Sequence, residues 1–243
     1  MIDIHCHILP DFDDGAANLK ESLTMARMAS DSGIHRIVAT PHFRGSPESL
    51  HSLPKLLATY RQLSRAIRRE NIPLELLPGA EILCMPQTVE LAKDRALPTL
   101  GDSDYLLTEF FFDESGSKIN SMLRSLADCG YKIVIAHPER YEAVQRSPRL
   151  LEGWFREGYV LQLNKGSILG AFGSQPQRVA ELALHHGFAH IVASDAHSSI
   201  RRTPSMRRLL LHLREICPPE YLRILVDKNP DRVIRNLDME PIA

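Results

Sequence analysis

A chain of 243 residues, 44% of them hydrophobic, is of a size to bury one substantial core, and a single domain spanning residues 1–243 is the simplest division. Its 29 basic and 30 acidic residues nearly cancel, which leaves no electrostatic basis for nucleic-acid binding or adsorption to an anionic membrane. There is no basic and apolar leader and no run approaching the ~20 apolar residues of a membrane span, so no membrane insertion and a cytoplasmic location are expected.

In chain order, a β-branched segment at 2–8 is followed by Asn18 and, three residues on, Glu21, a helix-capping arrangement. Leu19, Leu23, Ala26 and Ser30 then recur at helical intervals until Gly33. Further strands are expected at 36–40, 74–82, 105–111, 132–136, 160–164 and 190–194, and helices over 54–70, 119–129, 150–157, 177–187 and 203–216. The stretch 45–54, rich in Ser and Pro, reads as a mobile loop. Strands separated by helices favour a parallel sheet, because parallel neighbours need a crossover that a helix supplies. Polar residues gather at the C-terminal ends of nearly every strand, the first and last included, which suits an α/β barrel with one mouth better than an open sheet.

Cys6, Cys84, Cys129 and Cys217 show no CxxC spacing, so neither a zinc knuckle nor a redox pair is indicated. Cys217 and Arg223 have the spacing of a cysteine-dependent phosphatase loop. That loop cradles phosphate in backbone N–H groups, whereas Pro218 and Pro219 supply none and the segment lacks glycine.

The chemistry-bearing residues lie at strand ends. His5 and His7, two apart on a strand, share one face while Cys6 points away. Asp195 and His197 repeat the device at the last strand. His42, Glu81, Glu109 and His137 each end or closely follow an apolar run. Glu109, flanked by Leu106, Leu107 and three phenylalanines, would suffer a large desolvation cost unless paired or bound to metal. A lone HxH is weak, but with one acid of the crowded Asp11, Asp13, Asp14 loop these make nine donors. That exceeds a mononuclear site and suits two or three Zn, Mn or Fe ions with bridging acids.

Through Met1-Ile-Asp-Ile-His-Cys-His, Asp13-Asp-Gly, Thr40-Pro-His, Gly79-Ala-Glu-Ile, Leu97-Pro-Thr-Leu, Ile135-Ala-His-Pro-Glu-Arg-Tyr, Val192-Ala-Ser-Asp-Ala-His and Asn229-Pro, nearly the whole chain resembles the polymerase and histidinol phosphatase (PHP) family. It is most similar to that family's bacterial protein-tyrosine phosphatases of capsular and extracellular polysaccharide systems. The resemblance implies a distorted (βα)7 TIM-like barrel with a trinuclear centre at its C-terminal mouth. One ion would sit on His5, His7, Glu81 and Asp195, a second on Glu81, Glu109 and His137, and a third on Asp14, His42 and His197. Mn is the expected metal, with Fe, Co or Zn as alternatives. His35, His51, His185, His186, His190 and His212 match no ligand position and are read as surface or helix histidines.

Clustered divalent ions would neutralise phosphate oxygens and lower the pKa of a bound water toward about 7, allowing in-line attack by hydroxide with no phosphoenzyme and no cysteine. Arg140, three residues after His137, can hold phosphate through its planar fork, and Arg202 resembles a second family arginine, with Arg201 standing beside it where a small residue is expected. The implied substrate is a tyrosine-phosphorylated protein, the tail of a bacterial tyrosine kinase of polysaccharide synthesis; oligomerisation is left open. The alternatives are a small-molecule phosphomonoesterase of the histidinol-phosphatase kind, and a kinase-binding regulator with weak turnover.

Overall fold

In the computed structural model, which describes residues 1–240, the strands are β1 (Ile2–Cys6), β2 (Arg36–Ala39), β3 (His42–Arg44), β4 (Glu75–Pro78), β5 (Glu81–Leu83), β6 (Tyr105–Glu109), β7 (Lys132–Ala136), β8 (Val160–Asn164) and β9 (Ile191–Ala193). All pair in parallel, in one sheet of order β1-β2-β4 and another of order β3-β5-β6-β7-β8-β9. Proline explains the division. Pro41 falls between β2 and β3, and Pro78 ends β4, with Gly79 and Ala80 between it and β5; proline has no N–H to give to a ladder. The pairing nevertheless carries across these breaks. Thr40 donates to the Cys6 carbonyl and Glu81 to the Pro41 carbonyl, each at 3.0 Å.

Counting each broken pair as one stave gives seven, as the sequence led one to expect. The ends of the series meet: Asp195 N–H donates to His5 O at 2.9 Å, His7 N–H donates to Ala196 O at 2.8 Å, and Cys6 and Ala196 form a parallel bridge. Several expected boundaries need correction. The segment 74–82 is two strands and not one, for the proline reason above. The first strand stops at Cys6, so His7 lies just beyond it, and the fourth stops at Glu109, short of 111.

The long helices are α1 (Leu19–Asp31), α2 (Leu53–Arg69), α3 (Gly116–Asp128), α4 (Arg149–Arg156), α5 (Ser174–His185) and α6 (Arg207–Ile216). Asn18 caps α1, its side-chain oxygen accepting from Glu21 N–H at 3.0 Å; Glu21 reaches back to Ala17 N–H rather than to that of the cap residue. The last expected helix begins at Arg207, not 203, and the loop expected over 45–54 holds a 3-10 segment, Pro47–Ser52. His190 is a second correction. It is neither a surface nor a helix residue but is buried at the base of β9, accepting from Leu161 N–H at 3.1 Å and stacking on Phe155. Burial pulls its pKa down to about 4.

Alternation along the staves sorts the core into two layers. Ile133 and Ile135 of β7 pack with Leu123, Ile119 and Trp154 of the helices, while Val134 and Ala136 join Ile4, Leu107, Val160, Ile191 and Ala193 in a smaller cluster among the strands. Each such fully buried aliphatic side chain contributes about 1.5–3 kcal/mol. On β1 the register slips between Asp3 and Cys6, and the alternation changes sides there: Ile2 and Ile4 belong to the smaller cluster, Cys6 to the larger. That slip leaves His5 and His7 aimed at the mouth.

Asp3 fixes this irregular segment, one carboxylate oxygen accepting from Ser194 N–H at 3.0 Å and from His5 N–H at 3.3 Å. It is fully buried, and burial raises its pKa against the pull of those hydrogen bonds. Asp3→Ala should therefore cost about 1–3 kcal/mol by stranding two buried donors, whereas Asp3→Asn keeps an acceptor, carries no charge and should cost less. Urea unfolding of the two variants measures the order, and equal losses would contradict it.

Candidate metal centre

The nine donors read from the sequence meet at one end of the staves. They form four overlapping groups, His7–Asp14–His42–His197, His5–His7–Glu81, His5–His137–Asp195 and His42–Glu81–Glu109, with the ligand atoms of each within 4.8 Å of one another. Glu81 stands at the middle, 1% exposed. Its Oε1 lies 2.9 Å from His137 Nε2 and 3.2 Å from His5 Nε2, and its Oε2 lies 3.0 Å from His42 Nδ1 and 3.4 Å from His7 Nε2. Glu109 lies 3.5 Å from His42 and 3.6 Å from His137. On the outer side Asp14 is 3.4 Å from His42 Nε2 and 3.5 Å from His197 Nε2.

A surrounding set of residues decides which nitrogen each imidazole presents. His5 Nδ1–H donates to Gln162 Oε1 at 2.8 Å and His7 Nδ1–H donates to Asp13 Oδ2 at 2.7 Å, which leaves both Nε2 atoms as lone-pair donors. His197 Nδ1–H donates to the Asp195 carbonyl at 3.1 Å and likewise frees its Nε2. Among the described residues His137 Nδ1 has no partner. The loop acids thus divide their work: Asp13 orients His7 and also accepts from His42 N–H at 2.9 Å, while Asp14 faces inward with two imidazoles. Gly15 permits this approach, since a β-carbon there would lie 2.1 Å from His7 O. Two donor residues sit in the left-handed backbone region, His137 at φ 34° and Asp195 at φ 47°, where β7 and β9 end. Such strain costs of order 1–3 kcal/mol per residue and persists only where the surroundings enforce it.

The chemistry of this donor set fits divalent ions. His5 and His7 Nε2 lie 3.3 Å apart, so their lone pairs oppose each other unless a cation stands between. Without metal that cation is a proton. Burial would lower both pKa values, but Glu81 and Asp195 raise His5 to about 9, and Asp13 and Glu81 raise His7 to about 10. Burial would likewise raise Glu81, yet His5, His137 and His42 hold it well below the usual carboxylate range. Glu109 is pushed up, by burial first and then by the Glu81 charge.

Asp195 faces two ways. Its Oδ1 lies 3.5 Å from His5 and His197 and 3.6 Å from His7, while its Oδ2 takes Arg140 Nη1 at 3.5 Å, Arg202 Nη2 and Asn164 Nδ2. Both arginines named from the sequence therefore stand beside the centre. Beyond Glu109 and His42 opens a cavity of about 320 Å³ walled by Leu83, Phe110, Phe111 and Phe112, with Arg44 at its edge. The spaced cysteine and arginine do not form a site: Cys217 is buried with its pKa raised by burial, and Arg223 pairs with Glu220 at 3.3 Å. The sequence offered Asp13 only as a rival ligand and the phenylalanines only as apolar neighbours of Glu109, and it did not single out Gln162 or Asn164. Gln162 and Asn164 carried a signal, two polar residues in alternation on the otherwise apolar segment Val160–Asn164.

Replacing Glu81 should cost more metal than replacing Asp14, because the two Glu81 oxygens face different pairs of imidazoles while the Asp14 side chain is 63% exposed. Metal analysis of purified Glu81→Gln and Asp14→Asn tests the ranking. Metal must displace the protons that His5 and His7 hold, which are present below about pH 9 and 10 and lost above. Affinity should accordingly climb between about pH 7 and 9, and calorimetry in buffers of different ionisation heat should register proton release. A flat affinity over that range would contradict the proton competition.

Residues 1–235 match the family described as capsular polysaccharide synthesis, CpsB/CapC. The tyrosine-protein phosphatase YwqE of Bacillus subtilis is 35% identical over 241 residues, covering 97% of this chain and 92% of its own. A crystal structure from work on YwqE of Bacillus subtilis and CpsB of Streptococcus pneumoniae, described as unique metal-dependent tyrosine phosphatases, superposes with a TM-score of 0.85 at 33% identity over the full length of both chains. A dihydropyrimidinase from Brevibacillus agri shares the fold alone, with a TM-score of 0.64 at 12% identity over all of this chain and 72% of its own. The chain belongs to the CpsB/CapC family of capsular polysaccharide synthesis proteins.

Proposed function

We infer that this chain is a metal-dependent protein-tyrosine phosphatase, with two to three divalent ions, Mn the first expected, held by His5, His7, Asp14, His42, Glu81, Glu109, His137, Asp195 and His197. The observation that carries the reading is the convergence of these donors beside a phenylalanine-walled cavity that opens on two of them, Glu109 and His42. The opposed directions of the Glu81 oxygens support a bridging role. Ions bound there supply charge neutralisation at the phosphoryl oxygens and a water acidified toward neutrality.

The chain's own residues supply the remainder. Arg140 and Arg202, on one oxygen of Asp195, stand where a planar fork can take phosphoryl oxygens in exchange for that carboxylate. Phe111 and Phe112, 53% and 40% exposed, offer an apolar wall to an aromatic leaving group. A polar metabolite such as histidinol phosphate finds little in that wall to satisfy it, which disfavours the small-molecule reading. A pure binding regulator has no chemical need for so complete a donor set. A tyrosine-phosphorylated kinase of polysaccharide synthesis is the proposed partner, on the strength of family membership. Among the described residues no helix is long and apolar enough to cross a membrane.

A panel of phosphotyrosine peptide, phosphoserine peptide and histidinol phosphate, each assayed after chelation and after readdition of Mn, Co, Fe or Zn, tests the assignment. Chelation should abolish hydrolysis, readdition should restore it toward phosphotyrosine, and thiol alkylation should leave it largely intact; activity that survives exhaustive chelation would sink the metal reading. Arg140→Ala should lower kcat on the order of 10²–10³-fold with metal content little changed, and Arg140→Lys should restore only part, since an ammonium lacks the fork. A raised KM at unchanged kcat would instead confine this arginine to ground-state binding.

A further inference from the structure

The Arg140 guanidinium lies over two aromatic rings. Its guanidinium carbon lies 4.4 Å from the centre of the Phe112 ring and 4.5 Å from that of Phe172. Both are well inside the ~6 Å range over which an aromatic face attracts a cation. The rings come from separate parts of the chain. Phe112 follows β6 and stands edge-on to His137 at 6.0 Å, whereas Phe172 lies in the loop between the one-turn helix Lys165–Ile168 and α5. Phe172 also lies 5.7 Å from the guanidinium carbon of Arg202, so one ring borders both arginines.

The loop is built around that ring. A β-carbon on Gly166 would lie 2.5 Å from Phe172 Cε2 and 2.9 Å from Cζ, so only glycine there lets the ring settle. Gly170 at φ 75° and Gly173 at φ 95° take the chain around it through backbone conformations that other residues rarely adopt. The same turn reaches the metal centre, because Asn164 accepts from Gly166 N–H at 2.7 Å through Oδ1 and donates to Asp195 through Nδ2.

We propose that Phe172, together with Phe112, is a positioning residue that holds the Arg140 guanidinium in the orientation needed to fork phosphoryl oxygens, and that Gly166 makes room for it. The inference rests on the reading of Arg140 as a phosphate contact. An aromatic face beneath a guanidinium carbon stabilises the cation without using any of its N–H donors. Among the described residues the Arg140 side chain makes one hydrogen bond, to Asp195. The stack fixes the plane and leaves the other edge donors for a ligand. A lysine in the same place has a charge to stack but no edge to orient.

The test pairs kinetics on a phosphotyrosine peptide with 15N NMR of the arginine guanidinium groups in the metal-loaded protein. Phe172→Ala should lower kcat about tenfold, the value of roughly one desolvated cation–π face, with KM and metal content little changed. The Arg140 Nε–H signal should at the same time lose its ring-current shift and its order. Phe172→Leu, which fills space but has no π face, should behave like Phe172→Ala, and Phe172→Trp should recover most of both readouts. Gly166→Ala, which touches neither arginine, should reproduce the Phe172→Ala signature. In an Arg140→Ala background, Phe172→Ala should add little. Restoration by Leu as complete as by Trp would reduce Phe172 to packing and overturn the proposal. Wild-type kcat and guanidinium signals in Phe172→Ala, alongside a crippled Arg140→Ala, would overturn it while leaving Arg140 in its role. An inert Arg140→Ala would remove the phosphate reading itself, and this proposal with it.

Discussion

The carboxylate of Glu81, almost wholly buried, draws four imidazoles around its two oxygens, and the arrangement of the mouth follows from that contact. A buried carboxylate with no cation beside it is expensive, so its surroundings must supply positive charge, as protons on histidines or as divalent ions. Histidines held this way are costly to place elsewhere. His5 comes from β1, His42 from β3, and His137 and His7 from just past β7 and β1, so one acid cross-links staves distant in sequence. Glu81 opens β5, which resumes after β4 has ended at Pro78, so it lies toward the C-terminal end of its stave.

Rigidity around the centre is purchased in small pieces. Gln162, Asp13 and the Asp195 carbonyl each fix one imidazole, Asp3 fixes the backbone between them, and Glu21 ties the Ser199 backbone and hydroxyl, both at 3.1 Å, to the first turn of α1. Each of these bonds has modest net value, but several fall on the short stretches of backbone that carry the donors.

Eight of the nine converging donors were legible in the sequence because each lies in or just after a short apolar run, a pattern that survives without coordinates, whereas Asp14 was singled out of its acidic loop only by the resemblance. The seven-stave count was legible too, since strands and helices alternate. Boundaries were not. Periodicity cannot show that Pro41 and Pro78 split two staves between sheets, because the apolar character runs on across both breaks. Residue pattern alone did not separate Asp13 from Asp14; the turn at Gly15 sends the first carboxylate to His7 and the second to His42. His190 was misread because a polar side chain near a strand start gives no hint that Leu161 N–H and Phe155 lie over it. Phe172 was invisible for a related reason: its partners are an arginine 32 positions away and the empty space left by a glycine.

Asp195 links the two halves of the site. One of its oxygens faces the imidazoles and the other faces Arg140, Arg202 and Asn164, so the same carboxylate answers to the metal region and to the arginines. Burial would raise its pKa, yet His5, His137 and Arg202 hold it low, and it stays an anion in a nearly dry position. If phosphate enters here as proposed, it would meet arginines already turned toward a carboxylate. Exchanging one oxyanion partner for another demands little rearrangement, whereas an arginine free in solvent would have to be ordered at the moment of binding. The protein thus keeps its cations in place by giving them an internal anion to hold. The price is competition from Asp195 itself, which the charge of the metal region offsets on the opposite oxygen.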